Sequence, residues 1–293
     1  MKKLRSYLQL IRIPQWSKNL FIFLPAFFAL KLLQQNVLYN LGLTFLGFSF
    51  LASAVYVFND MLDIESDKIH PKKRNRPLAS GAVTKKEGIF LIVLLLILAS
   101  VVFVILNNTV VMVIAAVYLF QNILYTVKLK HISLLDIMLI ATGFVLRILI
   151  GGEATDTQLS HWIIVMTLVL ALFLALAKRR DDVASYVETG QKARKNIQGY
   201  NLEFLNVAIT MMATAVVVCY VMYCTSPEIL ANFGESTYLT SFWVILGVLR
   251  YLQLTFVWRI SGSPTTVLLE NRFLQFILLG WIVSFFLIIY LKV

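Results

Sequence analysis

The sequence predicts an all-α protein, a polytopic membrane bundle of nine transmembrane helices, and three observations lead to that prediction. Of the 293 residues, 59% are hydrophobic and only 14% are charged, whereas ordinary soluble domains have about 25% charged residues. Apolar segments long enough to cross a bilayer as helices recur along the chain. Lysines and arginines are concentrated in alternate loops, as is typical of integral membrane proteins. Residues 1–293 are therefore expected to form one transmembrane domain.

The apolar segments predict the helices in order. They cover residues 19–33, 41–58, 89–106, 110–127, 134–151, 162–177, 204–225, 238–257 and 273–291. Pro25 interrupts the first segment, so an alternative is a start near Pro14 as an interfacial helix that turns into the membrane. Two connections are long and charged, residues 59–88 and 178–203, and both are expected to carry active-site residues.

The placement of positive charge predicts the orientation. Most of the 26 lysines and arginines precede the first span or lie in the loops that follow spans two, four, six and eight. By the positive-inside rule, the N-terminus and both long loops are cytoplasmic and the C-terminus is outside. We expect a bacterial-type inner membrane protein with a cytoplasmic active site. The net charge of +11 is thereby attributed to topology, and nucleic acid is not an expected partner.

An acidic segment directly follows span two and predicts a metal site. If the helix continues at about 100° per residue, four oxygen-bearing side chains and a tyrosine one turn earlier share one face, while Glu65 points away to solvent. These side chains are Tyr56, Asn59, Asp60, Asp63 and Asp67. Mg2+ usually takes one or two protein carboxylates plus waters and substrate phosphates. We expect Asn59 and Asp63 to hold it, with Asp60 and Asp67 in support.

Basic side chains cluster near the acidic segment and in the other loops of the same side. A single lysine or arginine there is more often topological, but clusters beside carboxylates favour the binding of a substrate that carries several phosphates. The candidates are Lys18, Lys73, Arg74, Arg76, Lys128, Lys130, Lys178, Arg179 and Arg180.

Span five contains two charges inside an apolar segment. Asp136, Gly143 and Arg147 are spaced seven and four residues apart, which places them near one helical face. Charges at that depth are costly unless they face a wet cavity or a partner. One interpretation is an ion pair or cap that tolerates both charges. The favoured one is that Asp136 and Arg147 line the site, with Arg147 near a lipid phosphate.

Several strings of residues resemble a known family. Asn59-Asp60-x-x-Asp63-x-x-x-Asp67 after span two resembles the UbiA superfamily of intramembrane prenyltransferases, over essentially the whole chain. Within that superfamily, four strings are similar to the decaprenyl-phosphate phosphoribosyltransferase branch. They are Arg12-x-Pro14-Gln15-Trp16-x-Lys18-Asn19, His70-Pro71-x-Lys73-Arg74-x-Arg76-Pro77-x-Ala79-Ser80-Gly81, Gly143-Phe144-Val145-Leu146-Arg147 with Gly151-Gly152, and Lys178-Arg179-Arg180.

The resemblance implies an activity and roles for the candidate residues. Members of that branch transfer 5-phosphoribose from phosphoribosyl pyrophosphate to a polyprenyl phosphate and release pyrophosphate. The resemblance implies that Mg2+ binds the pyrophosphate and that Lys18, Tyr56 and Lys73 contact donor phosphates or ribose, with Arg74 and Arg76 beside them. Candidates for the lipid phosphate or the donor 5-phosphate are Lys128, Lys130, Arg147, Lys178, Arg179 and Arg180. Arg194 and Tyr200 are expected to form a cytoplasmic lid.

Two other functions remain open. One is a UbiA-type prenyltransferase that moves a polyprenyl group from its pyrophosphate to an aromatic or other small acceptor. Lys178-Arg179-Arg180 stands where such an enzyme is expected to carry a second acidic motif, which disfavours it. The other is a transporter with an ion site, which is ranked lower because the charges gather at one face. A homo-oligomer is left open.

Overall fold

The computed structural model describes residues 2–69, 73–189, 197, 199–259 and 264–291, and the described part is helical without strands. Within these described residues, seven helices are long and apolar enough to cross a membrane, in agreement with predicted spans two to eight. They are Gln35–Leu62, Lys85–Leu106, Thr109–Val127, Leu135–Ala154, His161–Thr189, Leu202–Cys224 and Glu235–Phe256. The chain is thus an integral membrane protein.

Residues Met1–Lys130 with Thr142–Leu159 form one compact unit, called unit 1. Its helices, in chain order, are α1 (Lys2–Leu10), α2 (Leu24–Phe28), α3 (Gln35–Leu62), α4 (Ile64–Ile69), α5 (Lys85–Leu106), α6 (Thr109–Val127) and most of α7 (Leu135–Ala154). Helix α3 packs mainly against α5 and also against α6, and Phe48, Ala52 and Tyr118 lie in the resulting core. This packing holds the C-terminal end of α3, where the acidic segment begins.

The predicted first span differs most from the structure. Residues 19–33 do not form one continuous helix; an 11-residue 3₁₀ helix, Ile13–Phe23, is followed by the five-residue α2. Pro25 lies in the first turn of α2, where its missing N–H costs no hydrogen bond. In the middle of a long helix, a proline would remove a backbone hydrogen bond and break the helix. The alternative start near Pro14 agrees with the observed start at Ile13.

Residues His131–Ala141 with Ser160–Val293 form the second compact unit, unit 2. It contains the first turns of α7 and then α8 (His161–Thr189), α9 (Leu202–Cys224), α10 (Pro227–Phe233), α11 (Ser241–Phe256), α12 (Pro264–Glu270) and α13 (Arg272–Leu291). Helices α8 and α9 form the most extensive pair, and α11 packs against α9 and α13. Phe173, Leu205 and Tyr251 are part of its apolar core. Helix α13 coincides closely with the predicted ninth span.

Candidate active site and family

The acidic segment lies where α3 ends. As predicted, the helix continues past the apolar region and stops at Leu62, and Asp63 is its C-terminal cap, with its N–H donating to the Asn59 carbonyl. The backbone N–H of Asp67 then donates to the Asp63 carbonyl at 2.8 Å, and α4 begins at Ile64, directly after the cap. Glu65 is exposed and pairs with Lys68, which confirms that it points away from the other acids.

Asn59, Asp63 and Lys130 form the first of two polar clusters at this end of α3. The Asn59 amide donates to Asp63 Oδ2 at 3.1 Å, which orients both side chains. Lys130 Nζ contacts the remaining oxygens, Asp63 Oδ1 at 2.7 Å and Asn59 Oδ1 at 3.3 Å. The carboxylate oxygen of Asp63 and the amide oxygen of Asn59 therefore converge on the same ammonium group. Asp63 keeps 28% of its side chain exposed, so the cluster is open to a ligand.

Asp60 and Asp67 form the second cluster with two arginines. Arg76 Nη1 donates to Asp60 Oδ1 at 3.0 Å and to Asp67 Oδ2 at 2.7 Å. Arg12 Nη2 donates to the same oxygen of Asp60, and its guanidinium lies 5.1 Å from the centre of the Tyr56 ring. Both aspartates are buried, whereas about a quarter of each arginine side chain is exposed. The arginines thus present a cationic edge supported by buried carboxylates.

These side chains fit the predicted magnesium ion. No group of three or more His, Cys, Asp or Glu side chains positioned to hold a metal occurs in the part of the chain that the structure describes. Mg2+ does not need such a group, because it commonly binds through one or two carboxylates and completes its shell with waters and substrate phosphates. Asn59 and Asp63 already share one cationic partner, the ammonium of Lys130. We therefore consider their oxygens a suitable donor pair.

The 3₁₀ helix is fixed against α3 by polar contacts. Trp16 Nε1 donates to Ser53 Oγ at 3.0 Å, and Ser53 donates in turn to the Ile11 carbonyl. One turn earlier on α3, Ser49 Oγ accepts a hydrogen bond of 2.8 Å from the Asn19 amide. Arg12 has φ +54° and ψ +49°, a left-handed conformation that is uncommon for residues other than glycine. These contacts hold that turn and place the Arg12 side chain at Asp60.

Lys18 follows on the same 3₁₀ helix and lies in a cationic environment. Its pKa is lowered from 10.5 to about 8, first because burial disfavours the charged ammonium and then because of the positive charges of Arg147 and Arg12. Because these three cations repel one another, their environment is suitable for a ligand with several negative charges. Lys18 is therefore retained as a candidate phosphate-binding residue.

Arg147 is buried in unit 1 and binds neutral groups. Its Nε donates to Asn19 Oδ1 at 2.8 Å, Nη1 donates to the Gly143 carbonyl at 2.7 Å and Nη2 donates to the Tyr118 hydroxyl at 3.3 Å. Three aromatic rings lie within 5.5 Å of its guanidinium carbon. No ion pair of Arg147 occurs within the described ranges. Helix α7 can approach this region because Gly151 lies against the Ile22 backbone, where a Cβ atom would clash.

Asp136 belongs to a different cluster, in unit 2. It is fully buried and its Oδ2 accepts a hydrogen bond of 2.7 Å from Arg179 Nε. The Tyr200 hydroxyl donates to Asp136 Oδ1 at 2.6 Å and accepts from the Leu134 backbone N–H at 2.7 Å. Burial, and then the hydrogen bond to Asp136, raise the pKa of Tyr200, so it stays protonated. The ion-pair interpretation thus describes Asp136, although its partner is Arg179.

The other predicted basic residues have different surroundings. Arg179 also donates to Asp182 at 2.8 Å, while Arg180 is buried against Asn206 and the Thr255 carbonyl in unit 2. The remaining ones differ in exposure: Lys73 and Lys178 are half-buried, and Arg74 and Lys128 are exposed. Arg194 lies outside the described residues.

The prediction missed several residues that contact the candidate side chains, among them Arg12, Asn19, Tyr118 and Asp182. Arg12 and Asn19 stand in the string that carried the family resemblance, so that string contained the available signal. For Tyr118, the available signal in the sequence was a hydroxyl group inside an apolar segment. Asp182 was visible as an acid three residues after Arg179, a spacing that brings side chains together on a helix.

Comparisons with known proteins agree with the fold and with the predicted family. Residues 19–290 match the model of the UbiA prenyltransferase family. The chain is 31% identical over 283 residues to a decaprenyl-phosphate phosphoribosyltransferase of Mycolicibacterium smegmatis, covering 93% of this chain and 88% of that protein. It is also 31% identical over 278 residues to the protein of the same name from Mycobacterium tuberculosis, covering 94% and 91%.

A solved structure extends the agreement to three dimensions. The structure of a UbiA homolog from Archaeoglobus fulgidus bound to GPP and Mg2+ superimposes with a TM-score of 0.73 at 17% identity, covering 97% of this chain and 99% of that chain. At this identity the likeness concerns the fold. The resemblance read from the acidic segment and the basic strings is confirmed, and the chain belongs to the UbiA prenyltransferase family.

Proposed function

We propose that this protein transfers 5-phosphoribose from phosphoribosyl pyrophosphate to a polyprenyl phosphate of the decaprenyl type, in a reaction that depends on Mg2+. The observation that carries the proposal is the Asn59–Asp63 pair, whose oxygens converge on one cation beside the Arg12 and Arg76 guanidinium groups. Such an arrangement suits a metal-bound pyrophosphate. The names of the mycobacterial relatives, which match nearly the whole chain, support the choice of donor and acceptor.

The reaction breaks the bond between the anomeric carbon and the pyrophosphate oxygen, and the pyrophosphate leaves with the electron pair. An oxygen of the lipid phosphate forms the new bond. This oxygen is anionic at neutral pH, so no strong general base is required and positioning supplies much of the rate enhancement. Mg2+, held by Asn59 and Asp63 with Asp60 and Asp67 in support, would neutralise charge on the departing pyrophosphate.

The basic side chains share the remaining phosphate charge in this proposal. The donor phosphates or the donor ribose are bound by Lys18, Tyr56, Lys73, Arg74 and Arg76. The lipid phosphate and the donor 5-phosphate are assigned to Lys128, Lys130, Arg147, Lys178, Arg179 and Arg180. We propose that Asp136 and Tyr200 act through Arg179. Asp136 accepts a hydrogen bond from the Arg179 guanidinium, and Tyr200 donates a hydrogen bond to Asp136. The lid role predicted for Arg194 and Tyr200 stays a prediction.

The membrane arrangement belongs to the same proposal. We propose one transmembrane domain with nine spans, the N-terminus in the cytoplasm and the C-terminus outside, in a bacterial inner membrane. The active site then opens to the cytoplasm, where a charged, water-soluble sugar donor is available, while the isoprenoid chain stays in the bilayer. Support comes from the seven apolar helices and the concentration of lysines and arginines in alternate loops. Self-association is left as a prediction.

Purified protein in detergent should test the donor directly. With phosphoribosyl pyrophosphate labelled in the ribose, decaprenyl phosphate and Mg2+, we expect label in a lipid extract and stoichiometric release of pyrophosphate. Omission of Mg2+, with a chelator present, should stop both.

A second candidate is prenyl transfer from a polyprenyl pyrophosphate, favoured by the fold neighbour bound to GPP and Mg2+. The same preparation should then be inactive with labelled phosphoribosyl pyrophosphate. It should instead consume a prenyl pyrophosphate in the presence of a small aromatic acceptor. This pair of results would replace the proposed function with prenyl transfer.

A further inference from the structure

Arg250 in unit 2 is a charged residue inside an apolar helix. It lies on α11, within the candidate span Glu235–Phe256, six residues before the end of that helix. At 1.5 Å per residue, this places its Cα about 9 Å from the helix end. Leu249 next to it is 58% exposed, and Gln253 one turn later is exposed, so this side of α11 faces the lipid or its boundary. A guanidinium there is costly without a partner.

Two aromatic rings hold the guanidinium in place. The guanidinium carbon lies 4.1 Å from the centre of the Trp258 ring and 5.1 Å from the centre of the Phe273 ring. Nη1 donates to Gln253 Oε1 at 2.6 Å, which fixes the orientation of the planar group. Both rings are themselves more than 40% exposed. The arginine is therefore held at the surface of the helix bundle and is not part of its core.

The hydrogen-bonding capacity of Arg250 is largely unused. Its Nε is shielded from solvent and has no hydrogen-bond partner, and Gln253 is a neutral acceptor. Within the ranges that the structure describes, no carboxylate forms an ion pair with Arg250. A guanidinium offers five N–H donors in a fork that matches a phosphate. An anion next to this arginine would satisfy donors that the protein leaves open.

Two further arginines flank the aromatic rings. Arg259 directly follows Trp258, and Arg272 directly precedes Phe273. Both are exposed, and Arg259 forms a surface ion pair with Glu188 at 2.9 Å. Under the proposed topology, this loop between the last two spans is cytoplasmic. Basic pockets between transmembrane helices on that side are typical sites for anionic lipid headgroups.

We propose that Arg250, held between Trp258 and Phe273, binds the phosphate group of a lipid in the cytoplasmic leaflet. The favoured source is an anionic phospholipid of the bilayer, because the arginine is on the lipid-exposed side of α11. None of its contacts is a residue that we assign to the transfer reaction. A polyprenyl phosphate offers the same chemistry, so the experiment must separate the two sources.

Native mass spectrometry of the purified full-length protein can measure bound lipid. We would add phosphatidylglycerol, phosphatidylcholine or decaprenyl phosphate to wild type, Arg250→Gln, Arg250→Lys and the control Arg5→Gln. Arg5 is an exposed arginine on α1, so this control removes the same charge elsewhere. For phosphatidylglycerol we expect about five-fold weaker retention by Arg250→Gln, the factor expected for one basic side chain near a membrane surface. Arg5→Gln should match wild type.

The other variants and lipids decide the outcome. Arg250→Lys keeps the charge without the planar fork, so it should retain phosphatidylglycerol at an intermediate level even if the glutamine variant folds poorly. Loss of decaprenyl phosphate alone in Arg250→Gln would assign the site to the lipid substrate and overturn the phospholipid source. Equal retention of every lipid by wild type and both Arg250 variants would overturn the site itself.

Discussion

The clusters around Asp63 in unit 1 and Asp136 in unit 2 use the same residue types for different purposes. Asp63 is 28% exposed and shares a lysine ammonium with Asn59, whereas Asp136 is fully buried and is held by Arg179 and Tyr200. The charges of the first cluster can be reached by a ligand, and those of the second are already neutralised inside the protein. The difference indicates that access, and not charge alone, separates a cluster that can contact a ligand directly from one that holds the Arg179 guanidinium in place.

Removal of the Asp63 carboxylate should have the largest effect on activity. In the proposed reaction, Asp63→Ala loses a ligand of a metal ion that supplies several kcal/mol of transition-state stabilisation. We expect kcat with phosphoribosyl pyrophosphate to fall about 1,000-fold, which corresponds to about 4 kcal/mol. The thermal unfolding midpoint should change little, because the carboxylate is partly exposed. Steady-state kinetics at saturating Mg2+ would measure the first quantity and intrinsic fluorescence the second.

Glu65→Ala is the matched control for Asp63→Ala. Glu65 lies two residues away, is exposed and forms a surface ion pair with Lys68, so its loss should leave kcat near wild type. Near-normal turnover by Asp63→Ala would remove Asp63 from the metal site.

Removal of the Asp136 carboxylate should act first on stability, and on activity only through Arg179. Asp136→Ala removes a fully buried carboxylate from the Arg179 guanidinium, which also contacts Asp182, a residue that is 22% exposed. Breaking a buried ion pair from one side typically costs about 3 kcal/mol or more. We expect a lower thermal unfolding midpoint in detergent and a lower yield of monodisperse protein. Asp182→Asn, which removes the more exposed partner, should cost less than about 1 kcal/mol.

The comparison of the two clusters would fail if Asp136→Ala were as stable as wild type and yet inactive. Asp136 would then contact substrate directly, as the sequence predicted.

The sequence was sufficient to predict the elements whose physics is local. Helix α3 continues through Asn59 and Asp60 because nothing in the sequence breaks it there, and the face shared by Asn59 and Asp63 follows from helical periodicity. The apolar segments that form seven of the described helices are likewise predicted directly from the order of hydrophobic residues in the sequence. The first span could not be predicted in the same way, because Pro25 allows either a kinked helix or a helix start.

The partners of the charged residues could not be predicted, because they depend on contacts between distant parts of the chain. Asp136 shares a helical face with Arg147, but its ion-pair partner is Arg179, 43 residues later. Arg147 instead binds Asn19, 128 residues earlier. Helical spacing orders residues on one helix and carries no information about which neighbouring helix faces them.

Loss of the Tyr200 hydroxyl should weaken the Asp136 cluster moderately. Tyr200→Phe leaves Asp136 Oδ1 without this donor and the Leu134 N–H without this acceptor, so we expect a loss of about 1 to 2 kcal/mol. Because the pKa of Tyr200 is raised in the folded protein, its hydroxyl keeps the proton at a pH at which the same hydroxyl in the unfolded chain has lost it. The contribution of Tyr200 should therefore be constant up to about pH 10 and should decrease above it. Unfolding midpoints of both proteins from pH 7 to 11 would test this, and a difference that grows with pH would contradict it.

The pH dependence of donor binding should show the smallest effect, through Lys18 in unit 1. Its pKa of about 8 means that the ammonium is charged below that pH and neutral above it, so its contribution to binding a polyphosphate is lost as the pH rises through 8. We expect kcat/KM for phosphoribosyl pyrophosphate to fall by less than about ten-fold between pH 7.5 and 9, mainly through KM. Lys18→Arg keeps its charge over this range, so the alkaline decrease should disappear in that variant. An identical decrease in both proteins would show that another group sets it, and the cationic environment around Lys18 would then have no part in donor binding.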